Sequence, residues 1–217
     1  MELEASKHAT TYIIKSLDEE IKRIALELHE GVSQHLYSIH TGLEYINSIV
    51  DHPDLKHYVR DLSENVSRTI KEVRFLSAEL YPSTLESLGI TAAVKSYSKL
   101  FTATFGIVVK VTTTGEAYPI DEDRSMALFR ACQEAMINMA KYADTSTAVI
   151  AFKWKQDMLQ LIIEDDGKGF DVRNILDQNE CMGLASMKYR LEIAGGGFAI
   201  YSAEGKGTIV CLSLPKE

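Results

Sequence analysis

From Asp18 to Val50 the apolar residues Ile21, Ala25, Leu28, Val32, Leu36, Ile39, Leu43, Ile46 and Val50 recur at spacings of three and four with no proline among them. That period predicts one long amphipathic helix. Asp51-His52-Pro53-Asp54 stops it. Leu55, Val59, Leu62, Val66, Ile70, Val73, Leu76 and Leu80 then repeat the period, predicting a second helix that ends before Pro82. So short a turn forces the two helices antiparallel. A lone hairpin cannot cover an apolar stripe of this length on both members, so a four-helix bundle built from two copies of the chain is expected.

Beyond Gly89 the rhythm changes. A helical stretch from Thr91 to Thr104 leads to a β-branched segment, Ile107 to Thr114, and then to the turn residues Gly115 and Pro119. Asp121 is placed to cap a long helix running to about Tyr142. Two strands are expected at Thr147 to Lys153 and Met158 to Glu164, then a glycine loop from Asp165 to Phe170 and a polar stretch from Asp171 to Cys181. A helix from about Leu184 to Ala194 follows, and Glu204-Gly205-Lys206-Gly207 divides a terminal strand pair. Strands interleaved with three helices imply a two-layer α/β sandwich, separated from the hairpin somewhere between Tyr81 and Gly89.

Composition narrows the function. The chain has 217 residues, 46% of them hydrophobic, which allows one large or two modest cores. Its formal charge of -8 opposes a nucleic-acid-binding surface, which needs clustered Lys and Arg. Cys132, Cys181 and Cys211 are odd in number and contain no CxxC pair, so neither a disulfide framework nor a zinc site is expected, and a reducing cytoplasm fits. No apolar run approaches the ~20 residues of a bilayer span, and the first ten residues lack the features of a signal peptide. Any membrane attachment is expected to lie in a segment outside this chain, which has only about twenty residues before the first strong helix.

Five short motifs carry candidate chemistry. On the first helix, at about 100° per residue, His29 stands roughly 60° from the centre of the apolar stripe, while Glu30 and Gln34 face water four apart. A histidine nucleophile needs to be neutral, reachable and beside a carboxylate able to take its ring proton. On the long helix, Glu134, Asn138, Lys141 and Tyr142 form one polar stripe, a setting suited to Mg²⁺, which takes few protein oxygens and keeps its waters and phosphates. Asp165-x-Gly167-x-Gly169 ends a buried-looking strand, where a carboxylate could accept an exocyclic amine and glycines let a flat base approach. Gly183-Leu184 opens a helix, and Gly205-x-Gly207-Thr208 joins the last strands; exposed N–H groups at such places attract phosphate. No P-loop is present. Taken singly, each motif also has an ordinary structural explanation.

Their order and spacing are more specific. Glu134 to Asn138, Asp165-x-Gly-x-Gly, Gly183-Leu and Gly205-x-Gly-Thr resemble the N, G1, G2 and G3 boxes of the GHKL ATPases, which include histidine kinases, gyrase B, Hsp90 and MutL. Upstream, Glu27-Leu-His29-Glu-x-x-x-Gln34-x-Leu resembles the phosphoacceptor box of the NarX/DesK/DegS class of sensor histidine kinases. Leu80-Tyr-Pro-Ser-Thr-Leu-Glu-Ser-Leu-Gly-Ile90 is similar to that class's connector. The sequence departs from the family pattern at Glu30, where Asp is commoner, at Tyr142, where His is usual, and at Cys181, where a glycine is frequent.

The resemblance implies a lead-in over residues 1–17, a dimerisation and histidine phosphotransfer hairpin over 18–81, and a Bergerat-type ATP-binding domain over 82–217. It implies ATP and Mg²⁺, with Asn138 on the metal, Glu134 in support, Lys141 facing the phosphates and Asp165 on the adenine. Gly167, Gly169, Gly183, Gly205 and Gly207 would shape the pocket, and Asp171 to Cys181 would form a short lid. The expected activity is autophosphorylation on His29, transfer to a response regulator receiver domain of NarL/LuxR type, and dephosphorylation of that partner supported by Glu30 and Gln34. The alternatives are a non-catalytic kinase-like dimer that binds a regulator, and a GHKL ATPase of another kind. No direct contact with nucleic acid is expected.

Overall fold

The computed structural model describes Ser16 and residues 19–172 and 182–216. It divides into two compact units, Met1–Ser83 and Thr84–Glu217.

The first unit is an antiparallel helical hairpin. Residues 19–26 are α-helical, Glu27–Val32 widen into a π-helical turn, and α1 (Ser33–Ile49) continues without interruption. Val50 and His52 are extended on either side of the short turn, and Pro53 opens α2 (Pro53–Leu80), where its missing N–H loses no helical bond. Cross-helix bonds run in opposite chain order along the hairpin. Ser77 Oγ donates to Ala25 O at 2.7 Å, Arg74 Nη1 to Tyr37 OH at 2.9 Å, and Ser63 Oγ to the Glu44 carboxylate. Small buried serines at 33, 63 and 77 let the two backbones approach, while Ala25, Val59, Ile70 and Phe75 fill the seam. A second apolar face stays open: Val32, Ile39 and Ile46, seven residues apart, are 38%, 52% and 42% exposed.

The regular helix expected from Asp18 to Val50 is corrected at one place, the turn that carries His29. There the Ser33 N–H bonds to Leu28 O, and Ser33 Oγ donates to the same carbonyl at 3.0 Å. Closure over five residues instead of four widens the turn and moves His29 off the angle given by 100° steps.

In the second unit α3 (Ser83–Phe105) is helical from within the connector, earlier than the expected Thr91, but it is broken at Gly89. Gly89 takes φ 75° and ψ 176°, a conformation open to glycine because it has no Cβ. There follow β1 (Val108–Thr114), α4 (Glu122–Tyr142), β2 (Thr147–Trp154), β3 (Met158–Asp165), α5 (Met182–Ile193), β4 (Gly197–Ser202) and β5 (Thr208–Pro215). The five strands lie in the order β1-β2-β3-β5-β4, with β1 and β2 parallel and the other neighbours antiparallel. Asp121 caps α4 by accepting the Asp123 N–H at 3.0 Å, as its position suggested.

One face of the sheet is covered. Ala148, Ile150, Phe152 and Trp154 of β2 and Leu159, Leu161 and Ile163 of β3 alternate inward, into a core with Leu128, Phe129 and Met136 of α4 and Met187 and Leu191 of α5. Tyr97 of α3 joins it edge-on to Phe129, ring centres 5.7 Å apart. Arg124 ties the layers at one end, its guanidinium donating to Ala194 O at 3.0 Å and Pro215 O at 2.6 Å. Burial pushes the Cys132 thiol up to about 12, so it stays a protonated, apolar part of the core. Among the described residues no helix is long and apolar enough to cross a membrane.

Candidate functional site

On the hairpin, the π-helical turn exposes His29 and Glu30, and Gln34 lies exposed one turn further along α1. All three line one groove of about 400 Å³ with Ser33, Tyr37 and Arg74. Glu30 and Gln34 thus share a surface with His29, although the turn between them is not the regular one. Arg74 and Tyr37 carry no motif that marks them, because their contribution depends on how α2 crosses α1.

In the second unit main-chain contacts bring together the loops that carry Asp165 and Gly207, and Gly183 meets the side chains of Glu134 and Asn138. Asp165 continues the inward alternation of β3 after Leu159, Leu161 and Ile163, which is why a carboxylate is buried, at 7% exposure. Its Oδ1 accepts the Gly167 N–H at 2.9 Å. Burial raises its pKa above the usual carboxylate value; N–H bonds from Gly167 and Thr208 oppose this, and the charges of Asp166 and Glu164 add to it. Among the described residues no cation is among the groups acting on it.

The glycines sit where side chains would collide. A Cβ on Gly207 would stand 2.0 Å from Asp165 O, one on Gly169 2.0 Å from Ala203 O, and one on Gly167 2.3 Å from Ala143 O. Ala143 caps α4, and its carbonyl accepts the Lys168 N–H at 2.7 Å. The Lys168 carbonyl in turn accepts the Gly205 N–H at 2.6 Å. The loops after β3 and β4 and the end of α4 are therefore locked together by main chain, with Ser202 Oγ bridging Phe170 N–H, Gly207 O and Thr208 Oγ1.

Gly183, near the start of α5, completes the group. A Cβ there would lie 2.3 Å from Glu134 Oε1 and 3.3 Å from Asn138 Nδ2, and the Asn138 amide donates to Glu134 at 3.2 Å. The bond engages the Asn138 nitrogen and not its Oδ1. Leu184 is half-buried beside Gly183. Lys141 and Tyr142, from the same expected stripe, are exposed at the end of α4, and among the described residues neither side chain makes a hydrogen bond or ion pair. The expected lid, including Cys181, lies outside the described residues except at its first two positions.

Comparison with known proteins agrees with this geometry. Residues 20–85 match a histidine kinase family, and residues 123–217 match the family of histidine kinase-, DNA gyrase B- and HSP90-like ATPases. Over 202 residues the chain is 33% identical to the oxygen sensor histidine kinase NreB of Staphylococcus carnosus (strain TM300), a stretch covering 93% of this chain and 58% of that relative's length. Among solved structures, the histidine kinase domain of the Erythrobacter litoralis blue-light activated histidine kinase superposes with a TM-score of 0.51 at 15% identity, over 84% of this chain and 94% of that one. The blue-light activated kinase itself matches at the same TM-score and 18% identity, over 90% of this chain and 60% of that one. Both establish the shared fold. The hairpin with its histidine box, followed by the ATPase boxes in their proper order, makes the chain a member of the sensor histidine kinases of the NarX/DesK/DegS class.

Proposed function

We propose that the chain is the ATP-dependent kinase core of a two-component system: it phosphorylates His29 and passes the phosphoryl group to an aspartate on a receiver domain of NarL/LuxR type. The observation that carries this reading is the occurrence in one chain of an exposed histidine, flanked by Glu30 and Gln34 in one groove, and of a buried Asp165, with no cation acting on it among the described residues, inside a glycine cradle.

The residues fit the nucleotide. Asp165 can accept the amine of adenine in place of a cation, and Gly167, Gly169 and Gly207 keep backbone near the base. Asn138 would hold Mg²⁺ with Glu134 behind it. Among the described residues no cluster of three or more His, Cys, Asp or Glu side chains forms, which suits an ion whose shell is completed by water and phosphate. When bound, Mg²⁺ neutralises charge on the phosphates. An imidazole nitrogen of His29 attacks the terminal phosphorus through its lone pair, the bond to the ADP oxygen breaks, and Glu30 takes the proton released from the other ring nitrogen. Gln34 is suited to orienting the water that hydrolyses the phosphorylated partner.

The open seam of Val32, Ile39 and Ile46, with Leu55 and Leu76 exposed on α2, supports a homodimer closed into a four-helix bundle. Incubation with γ-labelled ATP tests the whole reading. Acid-labile, base-stable label is expected on the parent chain, lost in His29→Gln with ATP affinity retained, and lost in Asn138→Ala with the dimer retained. Label that survives in His29→Gln removes that residue from the mechanism.

A further inference from the structure

The groove around His29 holds a cation that no motif marks. Arg74 projects from α2 and is only partly exposed, and its Nη1–H donates to Tyr37 OH at 2.9 Å across the hairpin. Arg23, by contrast, is pinned between the carboxylates of Glu20 and Glu27. Among the described residues no carboxylate pairs with Arg74, even though Glu30 lines the same groove. A phenol oxygen fixes the guanidinium's direction without cancelling its charge, which leaves the remaining donors of the planar fork for an anion.

We propose that Arg74 grips the phosphoryl group carried by His29, with Tyr37 as its positioning residue; this rests on the reading that His29 is the phosphoacceptor. The guanidinium fork matches two phosphoryl oxygens, and the charge of a phosphoryl group is the partner that Arg74 lacks. During transfer the receiver's aspartate oxygen attacks phosphorus and the N–P bond breaks. Its electron pair returns to the imidazole, which regains a proton from solvent or Glu30. Arg74 donates hydrogen bonds to the non-bridging oxygens throughout and gives up no proton.

The test compares the parent chain with Arg74→Gln, Arg74→Lys, Tyr37→Phe and His29→Gln. At saturating ATP, Arg74→Gln should phosphorylate about 10- to 100-fold more slowly with an unchanged KM for ATP, the loss expected for a charge-assisted hydrogen bond. Arg74→Lys, which keeps charge but not the fork, should fall between the two, and Tyr37→Phe should lose several-fold. The second readout is ³¹P NMR of chains phosphorylated with ATP or, for slow variants, with phosphoramidate; His29→Gln identifies the resonance. A neighbouring cation favours the phosphoryl dianion, so its titration midpoint should move to higher pH in Arg74→Gln and partly so in Arg74→Lys. Identical midpoints and rates in the parent and Arg74→Gln overturn this proposal alone. Absence of a His29 resonance and of label in the parent chain overturns the phosphoacceptor reading, and this proposal with it.

Discussion

Gly183 lies against Glu134 so closely that a methyl group on it would stand 2.3 Å from the carboxylate oxygen Oε1. The obstructing atom is the far end of a flexible side chain, so Gly183→Ala should fold. Glu134 must swing away, and the Asn138–Glu134 hydrogen bond goes with it. Mg·ATP affinity should fall about tenfold, the effect of losing about 1.4 kcal/mol, measured by calorimetric titration. Gly207→Ala meets backbone instead, the Asp165 carbonyl at 2.0 Å and at a positive φ, so it should lower the melting temperature of the chain without nucleotide. A Gly183→Ala variant that binds Mg·ATP like the parent would separate Glu134 from the metal site.

Asp165 makes stability depend on pH in an unusual direction. Its folded pKa is raised by burial, so between its unfolded and folded values the native state holds the extra proton. The destabilisation from burying its charge is full above the folded pKa and is relieved as pH falls through it. Without nucleotide, the melting temperature of the parent minus that of Asp165→Asn should therefore increase from neutral to mildly acidic pH. A flat difference would mean that the carboxylate is not held in a desolvating site.

Ser33 closes the π-helical turn from its side chain as well as its backbone. Ser33→Ala removes a buried hydrogen bond worth about 1 kcal/mol and should lower the melting temperature by about 2–4 °C. If the turn then relaxes toward a regular α-helix, His29 rotates within its groove and autophosphorylation slows. An unchanged rate despite the stability loss would show that the wide turn does not position the histidine.

Two charges on the open seam should break the bundle. Ile39→Asp with Ile46→Asp should give monomers in sedimentation at micromolar concentration, where the parent sediments as a dimer. A parent chain that is itself monomeric would discard the bundle.

Gln34 and Glu30 should divide their labour. Gln34→Ala should slow hydrolysis of the phosphorylated receiver and spare autophosphorylation, because hydrolysis needs a positioned water and attack on ATP does not. Glu30→Gln should slow autophosphorylation by about 100-fold, as for loss of a general base. Paired assays on labelled ATP and on phosphorylated receiver decide it, and the reverse pattern would exchange the two roles.

Much of this molecule was legible in the chain. The hairpin could be read because its apolar residues keep a helical period for many turns; the strand was expected to end at Glu164, and that β3 runs one residue further and turns Asp165 inward is a finding of the structure. The kinase boxes were recognisable because glycines are required wherever main chain meets main chain, as at Gly167, Gly169 and Gly207. Local geometry sets each of these features, and local geometry is written in neighbouring residues. The π-helical turn was not legible: apolar spacing is nearly the same for four- and five-residue closure over a single turn, and Ser33 alone does not announce a bond to Leu28. The meeting of Gly183 with Glu134, and of Arg74 with Tyr37 beside His29, joins residues tens of positions apart, and only the packing of one element on another brings them together. Periodicity decided which residues turn inward; the crossing of packed helices and the closing of loops decided which polar groups share a site.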